Sequence, residues 1–438
     1  MRFEKSDTLR RRAHALIPGG AHTYAKGDDQ FPEEAPGFIV RGAGCHVWDA
    51  DGNEFVEYGM GLRSVTLGHG YGPVVSAAAR QMADGLNFTR PAAIEPAAAS
   101  RLLEFLSPAG SPVDRMVKFA KNGSDVTSAG VKLARAYTGR DVVAVCGDHA
   151  FFSTDDWFIG TTAMPAGIPA ATRALTVRFG YNDLDSLAAV LRERTVACVV
   201  MEIEAGTPPA EGFLPGVRRL CDETGTVLLF DEVITGFRWH NQGASHVYGV
   251  RADLTTYAKA LGNGFAVAAL VGRPELMEAG GLRTARERVF LLSTTYGADT
   301  HTLAAAMAVL DAYEREPVVE HLHRQGRRLA DGVRQAARQH GLAEHVGVAG
   351  RDANLVYFTK DADGNRSQPM RTLFLQELIR GGVIAPSFVV SYAHTDADID
   401  RTVEVVDAAL AVYAKALSDG VERYLVGRPV KPVFRPFV

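Results

Sequence analysis

From about residue 75 onward the chain alternates helical patterns with short apolar runs. These runs are Met116-Val117-Lys118-Phe119, Val142-Val143-Ala144-Val145, Cys198-Val199-Val200-Met201, Val227-Leu228-Leu229-Phe230 and Ala268-Ala269-Leu270-Val271. Apolar strands separated by helices predict a mostly parallel sheet covered on both faces, an α/β architecture. Upstream, a basic helix is predicted over Leu9 to Leu16, followed by Pro18-Gly19-Gly20. Two alternating segments on either side of Asp51-Gly52 predict a hairpin. After residue 303 the pattern changes to a long helix, Leu303 to Glu314, and a basic helix through Arg324-Gln325-Gly326-Arg327-Arg328. Strand-like pieces at Asn354 to Phe358 and Gly382-Val383-Ile384 and a last helix, Ala397 to Leu417, complete a separate α/β lobe. The expected division is 1–65, 66–302 and 303–438, with the first and last segments together forming the smaller domain. No internal repeat or low-complexity tract interrupts this order.

Composition narrows the class. A chain of 438 residues with 47% hydrophobic positions can bury a large core and a smaller one. With 47 Lys and Arg against 51 Asp and Glu, and a net charge of -4, there is no basic excess to attract nucleic acid or an anionic membrane. A small charged or polar substrate is expected. The opening Met1-Arg2-Phe3-Glu4-Lys5-Ser6-Asp7 is charged where a signal peptide needs an apolar segment, and no later stretch stays apolar long enough to span a bilayer, so the expected location is cytoplasmic. Cys45, Cys146, Cys198 and Cys221 form no CxxC pair and read as buried thiols, with no metal site.

The chemistry is carried by a carboxylate and a lysine. The apolar run Val227 to Phe230 leads into Asp231, and Lys259 lies about one helix-and-strand unit later in Tyr257-Ala258-Lys259-Ala260-Leu261-Gly262, among residues too small to crowd it. That is how a Schiff-base enzyme arranges its parts: the lysine bonds an aldehyde cofactor, and the carboxylate keeps a pyridine nitrogen protonated so that the ring draws electrons. Around this pair, Asn122-Gly123-Ser124-Asp125 opens a helix expected over Val126 to Tyr137. The amides of Gly123 and Ser124 at its start would suit the cofactor phosphate, although an ordinary helix cap reads the same way. His149 follows the Val142–Val145 strand and offers a flat ring for stacking. Glu202 ends the strand before that of Asp231 and is expected to line the site.

Together these residues resemble the class III aminotransferases among the fold-type-I pyridoxal-phosphate enzymes, and within them the glutamate-1-semialdehyde 2,1-aminomutases. The sharpest pieces are Trp48-Asp49-Ala50-Asp51-Gly52, Leu67-Gly68-His69, Asp231-Glu232-Val233-Ile234-Thr235-Gly236-Phe237-Arg238 and the Lys259 segment. The resemblance implies a seven-stranded, mostly parallel sheet and pyridoxal 5'-phosphate as cofactor. It implies Lys259 as the cofactor-bonding lysine, Asp231 as the ring-nitrogen partner and Val233 on the ring face opposite the stacking side chain. Gly123 and Ser124 match the phosphate-binding pair, and His149 falls where the family has an aromatic residue. Thr295 matches a threonine that reaches the phosphate of the neighbouring subunit, which implies an obligate homodimer.

Departures from the pattern bear on substrate. Lys26 stands where the aminomutases carry an arginine for the substrate carboxylate, and it offers a point charge in place of a fork. The segments between Phe151 and Pro169 and over Pro386 to Ser391 are shorter than in the aminomutases. A mutase must retain its intermediate, so shortened coverage favours transfer from an amino acid donor to an aldehyde or ketone acceptor, with intramolecular amino transfer as the alternative. Arg63, in Gly61-Leu62-Arg63-Ser64, sits at a family substrate-pocket position and suits a phosphate, phosphonate or carboxylate.

Overall fold

The computed structural model describes residues 1–438 apart from Ala109, Ala150, Ala205 and Val438. The backbone forms two compact units, Gly72–Val319 and a second made of Met1–Tyr71 with Glu320–Val438. The strands are, along the chain, β1 (Ile39–Ala43), β2 (His46–Asp49), β3 (Glu54–Glu57), β4 (Met116–Ala120), β5 (Val142–Cys146), β6 (Thr176–Phe179), β7 (Val196–Glu202), β8 (Val227–Asp231), β9 (Leu254–Tyr257), β10 (Ala268–Gly272), β11 (Val346–Ala349), β12 (Val356–Thr359) and β13 (Val383–Ile384).

In the larger unit seven strands lie in the order β4-β10-β9-β8-β7-β5-β6. Only β10 runs against its neighbours, so the sheet is mostly parallel. Every residue of β5, β7, β8 and β10 is buried, as strands covered on both faces require. One face carries the helix Gly123–Thr138, which approaches so closely that a Cβ on Gly130 would stand 2.3 Å from Leu229 Cδ1. The other face packs Leu187, Leu191, Phe213, Leu214 and Val217 from the helices Leu184–Glu193 and Phe213–Thr224. β6 and β9 escape the apolar pattern because threonine and arginine occupy half of their positions; β-branched threonines extend as readily as valine. The helix Thr300–Arg315 packs against Gly72–Ala83 and Ile94–Leu106, so the units divide after Tyr71 and Val319, against the 65/66 and 302/303 boundaries expected from pattern.

The smaller unit has a sheet ordered β1-β2-β3-β13 and an antiparallel pair β11-β12. The hairpin at Asp51-Gly52 joins β2 to β3, and Asp49 Oδ1 fastens its turn by accepting from the Asp51 and Asn53 amides at 2.9 and 2.8 Å. The helix Asp396–Asp419 opens on a Thr395/Asp398 capping box, whose Asp398 also meets His46 Nε2 at 3.0 Å. The four cysteines are buried and free. Among the described residues no helix is long and apolar enough to cross a membrane.

Gly326, in the helix Val318–Gln339, lies directly beneath the Asp352 carbonyl: a Cβ there would stand 1.8 Å from that oxygen. Gly326→Ala should therefore destabilise the protein by about 3 kcal/mol, read as a lower urea midpoint at unchanged slope. An unchanged midpoint would contradict this packing.

Candidate active site

Parallel strands end together, and the residues that follow β4, β5, β7, β8 and β9 gather at one edge of the larger sheet. Register fixes the first group: Asp231 lies beside Glu202 on β7 and beside Thr256 on β9, three residues before Lys259. Asp231 is 4% exposed, and its Oδ1 accepts the Val233 amide at 2.9 Å. Burial pushes its carboxyl up to about 6, against the opposing pull of the Val233 amide and the Lys259 charge. An acid held this way is poised to accept a charged hydrogen bond from a cationic ring nitrogen.

Lys259 is half-buried and opens a one-turn 3-10 helix, Lys259–Gly262, with φ 49°, a left-handed conformation that a lysine rarely adopts. Ala258, Ala260, Leu261 and Gly262 around it are buried, so the strained backbone is held by its neighbours.

At the end of β4 the helix Gly123–Thr138 begins with a capping box between Asn122 and Asp125. The Gly123 position has no room for a side chain to spare: a Cβ would come within 3.1 Å of Val233 Cγ2. Glycine thus leaves an open cradle between the helix start and the Val233 methyls. Ser124 Oγ accepts the Thr154 amide at 3.2 Å, tying the helix start to the loop after β5. That loop delivers His149, whose Nδ1 accepts the Glu202 amide at 3.0 Å. Its Nε2 therefore carries the proton, and it is buried with no hydrogen-bond partner among the described residues. Desolvation lowers the His149 pKa to about 4, with Asp148 opposing, so the ring is neutral at physiological pH. Glu202 is 8% exposed and lines the same edge.

The structure thus brings together Gly123, Ser124, His149, Glu202, Asp231, Val233 and Lys259. Thr295 is exposed, its carbonyl accepting from Asn87 Nδ2 at 3.0 Å. Lys26 and Arg63 belong to the smaller unit. Lys26 is exposed on the turn Tyr24–Lys26. Arg63 ends a turn in which Met60, Gly61, Leu62 and Arg63 have φ of 42°, 58°, 58° and 71°. Such a left-handed turn costs about 1–2 kcal/mol for each non-glycine residue.

Two supporting residues carry no signal separable from the motif around them. Glu232 is fully buried and accepts from Thr235 Oγ1 (3.1 Å), the Ala244 amide (2.5 Å), and the Ser245 amide and Oγ (3.0 and 2.5 Å). It fixes the loop after Asp231, and Gly243 leaves it space, since a Cβ there would stand 2.4 Å from its Oε2. Tyr181 packs its ring 5.1 Å from that of His149. The spacing of these residues in sequence hides the contacts.

Because Asp231 is charged at neutral pH against its burial, the fold bears a cost that asparagine would lift. The carboxyl is at about 6 in the fold against 3.8 ordinarily, so stability from its neutral form is complete below 3.8 and is lost as pH rises through 6. Asp231→Asn should stabilise cofactor-free protein by about 3 kcal/mol at pH 7 and by little at pH 4, in denaturant titrations at the two values. Equal effects at both would contradict the burial argument.

The class-III aminotransferase model matches residues 28–410. Glutamate-1-semialdehyde 2,1-aminomutase of Roseiflexus castenholzii is 34% identical over 96% of this chain and 100% of that protein. The enzyme of the same name from Methanothrix thermoacetophila is 31% identical over 92% and 96%. Among solved structures, the FumI protein of Sphingopyxis sp. MTA144, in its pyridoxal-phosphate internal aldimine form, superposes with a TM-score of 0.85 at 27% identity, over 95% of this chain and 98% of that one. An omega-transaminase from Sphaerobacter thermophilus gives 0.82 at 25%, over 94% and 98%. With a buried carboxylate, a lysine and a glycine-opened helix at one sheet edge, the chain belongs to the class III aminotransferases.

Proposed function

We propose that this protein is a pyridoxal 5'-phosphate-dependent aminotransferase that takes an amino group from an amino acid donor, such as glutamate, and gives it to an aldehyde or ketone. The acceptor in this reading is a biosynthetic intermediate, such as a sugar or a phosphorylated or phosphonylated small molecule. The observation that carries the reading is the buried Asp231 in register with the strand that leads to Lys259. When bound, pyridoxal phosphate supplies an aldehyde that captures amino groups and a ring that delocalises charge from the substrate carbon.

The chain's own residues then divide the work. Asp231 would accept a hydrogen bond from the protonated ring nitrogen, a cation that would in turn favour the ionised carboxyl. Val233 would support one face of the ring, and His149, kept neutral by burial, would stack on the other without adding a positive charge. The Gly123 and Ser124 amides, at the start of a helix, hold the phosphate. Lys259 would hold the cofactor at its aldehyde carbon and, as a free amine, would move the proton at the substrate carbon. Glu202 lines the site, and Lys26 and Arg63 bind substrate. Thr295 completes the neighbouring subunit's site in a cytoplasmic homodimer. Leu282, Phe290 and Tyr296, each strongly exposed on the same stretch as Thr295, support that contact.

The names of the aminomutase relatives favour a second reading, intramolecular amino transfer within an aminated aldehyde. One experiment separates the two. Amino compounds added singly should convert the bound cofactor to its amine form and release a keto product, with sustained turnover only after an acceptor is supplied. Turnover of a single substrate with no donor present would establish the mutase. Lys259→Ala should bind cofactor and lose at least about 1,000-fold in rate; a smaller loss would overturn the role given to Lys259.

A further inference from the structure

Three side chains with metal-binding chemistry meet within the smaller unit. Cys45 and His46 stand where β2 begins, and Asp398 lies in the first turn of the helix Asp396–Asp419. One ligand atom from each, the sulfur, a ring nitrogen and a carboxylate oxygen, lies within 4.8 Å of the other two. Ligands held about 2.0–2.3 Å from a tetrahedral cation stand about 3.3–3.6 Å apart, so shifts of about 1 Å would seat one. Sequence spacing conceals the set, because Asp398 comes from the far end of the chain.

The atoms behind these ligands are arranged as the supports of a metal site are. Asp398 Oδ2 accepts from the Thr395 amide at 2.9 Å and from Thr395 Oγ1 at 2.6 Å, and Oδ1 is turned to His46 Nε2 at 3.0 Å. Glu54 Oε1 stands 2.9 Å from the other ring nitrogen, Nδ1. The ring thus has a carboxylate oxygen at each nitrogen. A neutral imidazole carries one N–H and satisfies one of them. With that proton on Nδ1 toward Glu54, a lone pair on Nε2 faces the Asp398 oxygen, and two facing acceptors make a place for a cation. A carboxylate behind a ligating histidine is the common support of such a ring. Cys45 is buried and the His46 side chain is partly exposed, so water completes the coordination from the His46 side.

We propose that Cys45, His46 and Asp398 bind a divalent transition-metal cation of the zinc class. The cation takes the place of the thiol proton, which leaves to solvent, and one water fills the fourth position. Magnesium and calcium do not fit, since they take oxygen ligands and this set mixes sulfur, nitrogen and oxygen. The role is structural: the cation clips the first segment of the smaller unit to the last, closing a loop of 352 positions between His46 and Asp398.

The holoenzyme, stripped with a chelator and dialysed, should be titrated with cobalt(II) and with zinc(II). One cobalt per chain is expected, with a sulfur-to-cobalt band in the difference spectrum against the zinc form, which cancels absorption by the cofactor. Cys45→Ser should abolish that band, and Cys45→Ser and His46→Gln should each weaken cobalt binding at least about 100-fold, with Glu54→Gln weakening it about 10-fold. Zinc should raise the melting temperature of the unaltered protein and leave that of Cys45→Ser unchanged. Cobalt bound without a sulfur band would overturn the proposal whatever the variants do, as would no cobalt retained through gel filtration. Unchanged affinity in both ligand variants would also overturn it and leave His46 as a plain hydrogen-bonding residue between two carboxylates. None of these readings involves turnover, so they stand apart from the aminotransferase assignment.

Discussion

A carboxylate buried at the end of a parallel strand is costly to charge, and the arrangement around Asp231 follows from that cost. Burial raises its pKa, while one backbone amide and the nearby lysine pull it back toward ionisation. The resulting group is charged at neutral pH at a cost to the fold, and a cation placed against it offsets that cost. A pyridinium nitrogen is such a cation, so the unfavourable burial becomes favourable once the ring arrives. The neutral state of His149, on the same edge, has the same origin in desolvation.

Sheet geometry turns this electrostatic device into a site. Pairing of β8 with β7 and β9 sets Asp231, Glu202 and Thr256 side by side to within one residue, because a slip would reverse the faces. Close packing of the helix Gly123–Thr138, permitted by Gly130 against Leu229, brings its start to the same edge. Left-handed backbone at non-glycine residues falls at Lys259 in the larger unit and in the Met60–Arg63 turn of the smaller, among other positions that the sheet does not specify. Rigid strands supply placement, and strained turns supply direction.

Much of this was legible in the chain. Apolar runs marked β4, β5, β7, β8 and β10, since strands covered on both faces tolerate few polar residues. β6 and β9 were hidden because threonine serves strands and loops alike. The Asp231 and Lys259 pair stood out from its apolar and small-residue surroundings. Glu232 and Tyr181 did not, because their partners are set by folding of distant segments. Nor did the unit boundary after Val319, which depends on where the helix Thr300–Arg315 packs and not on its own pattern. Asp398 lies 352 positions from His46, beyond the reach of any local motif.

The central claim is a covalent bond between the Lys259 ε-nitrogen and the aldehyde of pyridoxal phosphate, supported by Asp231. Borohydride reduction of the holoenzyme, followed by proteolysis and mass spectrometry, tests it most directly. The account predicts one cofactor-tagged peptide, with the modification on Lys259. A tag on another lysine, or none with cofactor bound, would contradict it.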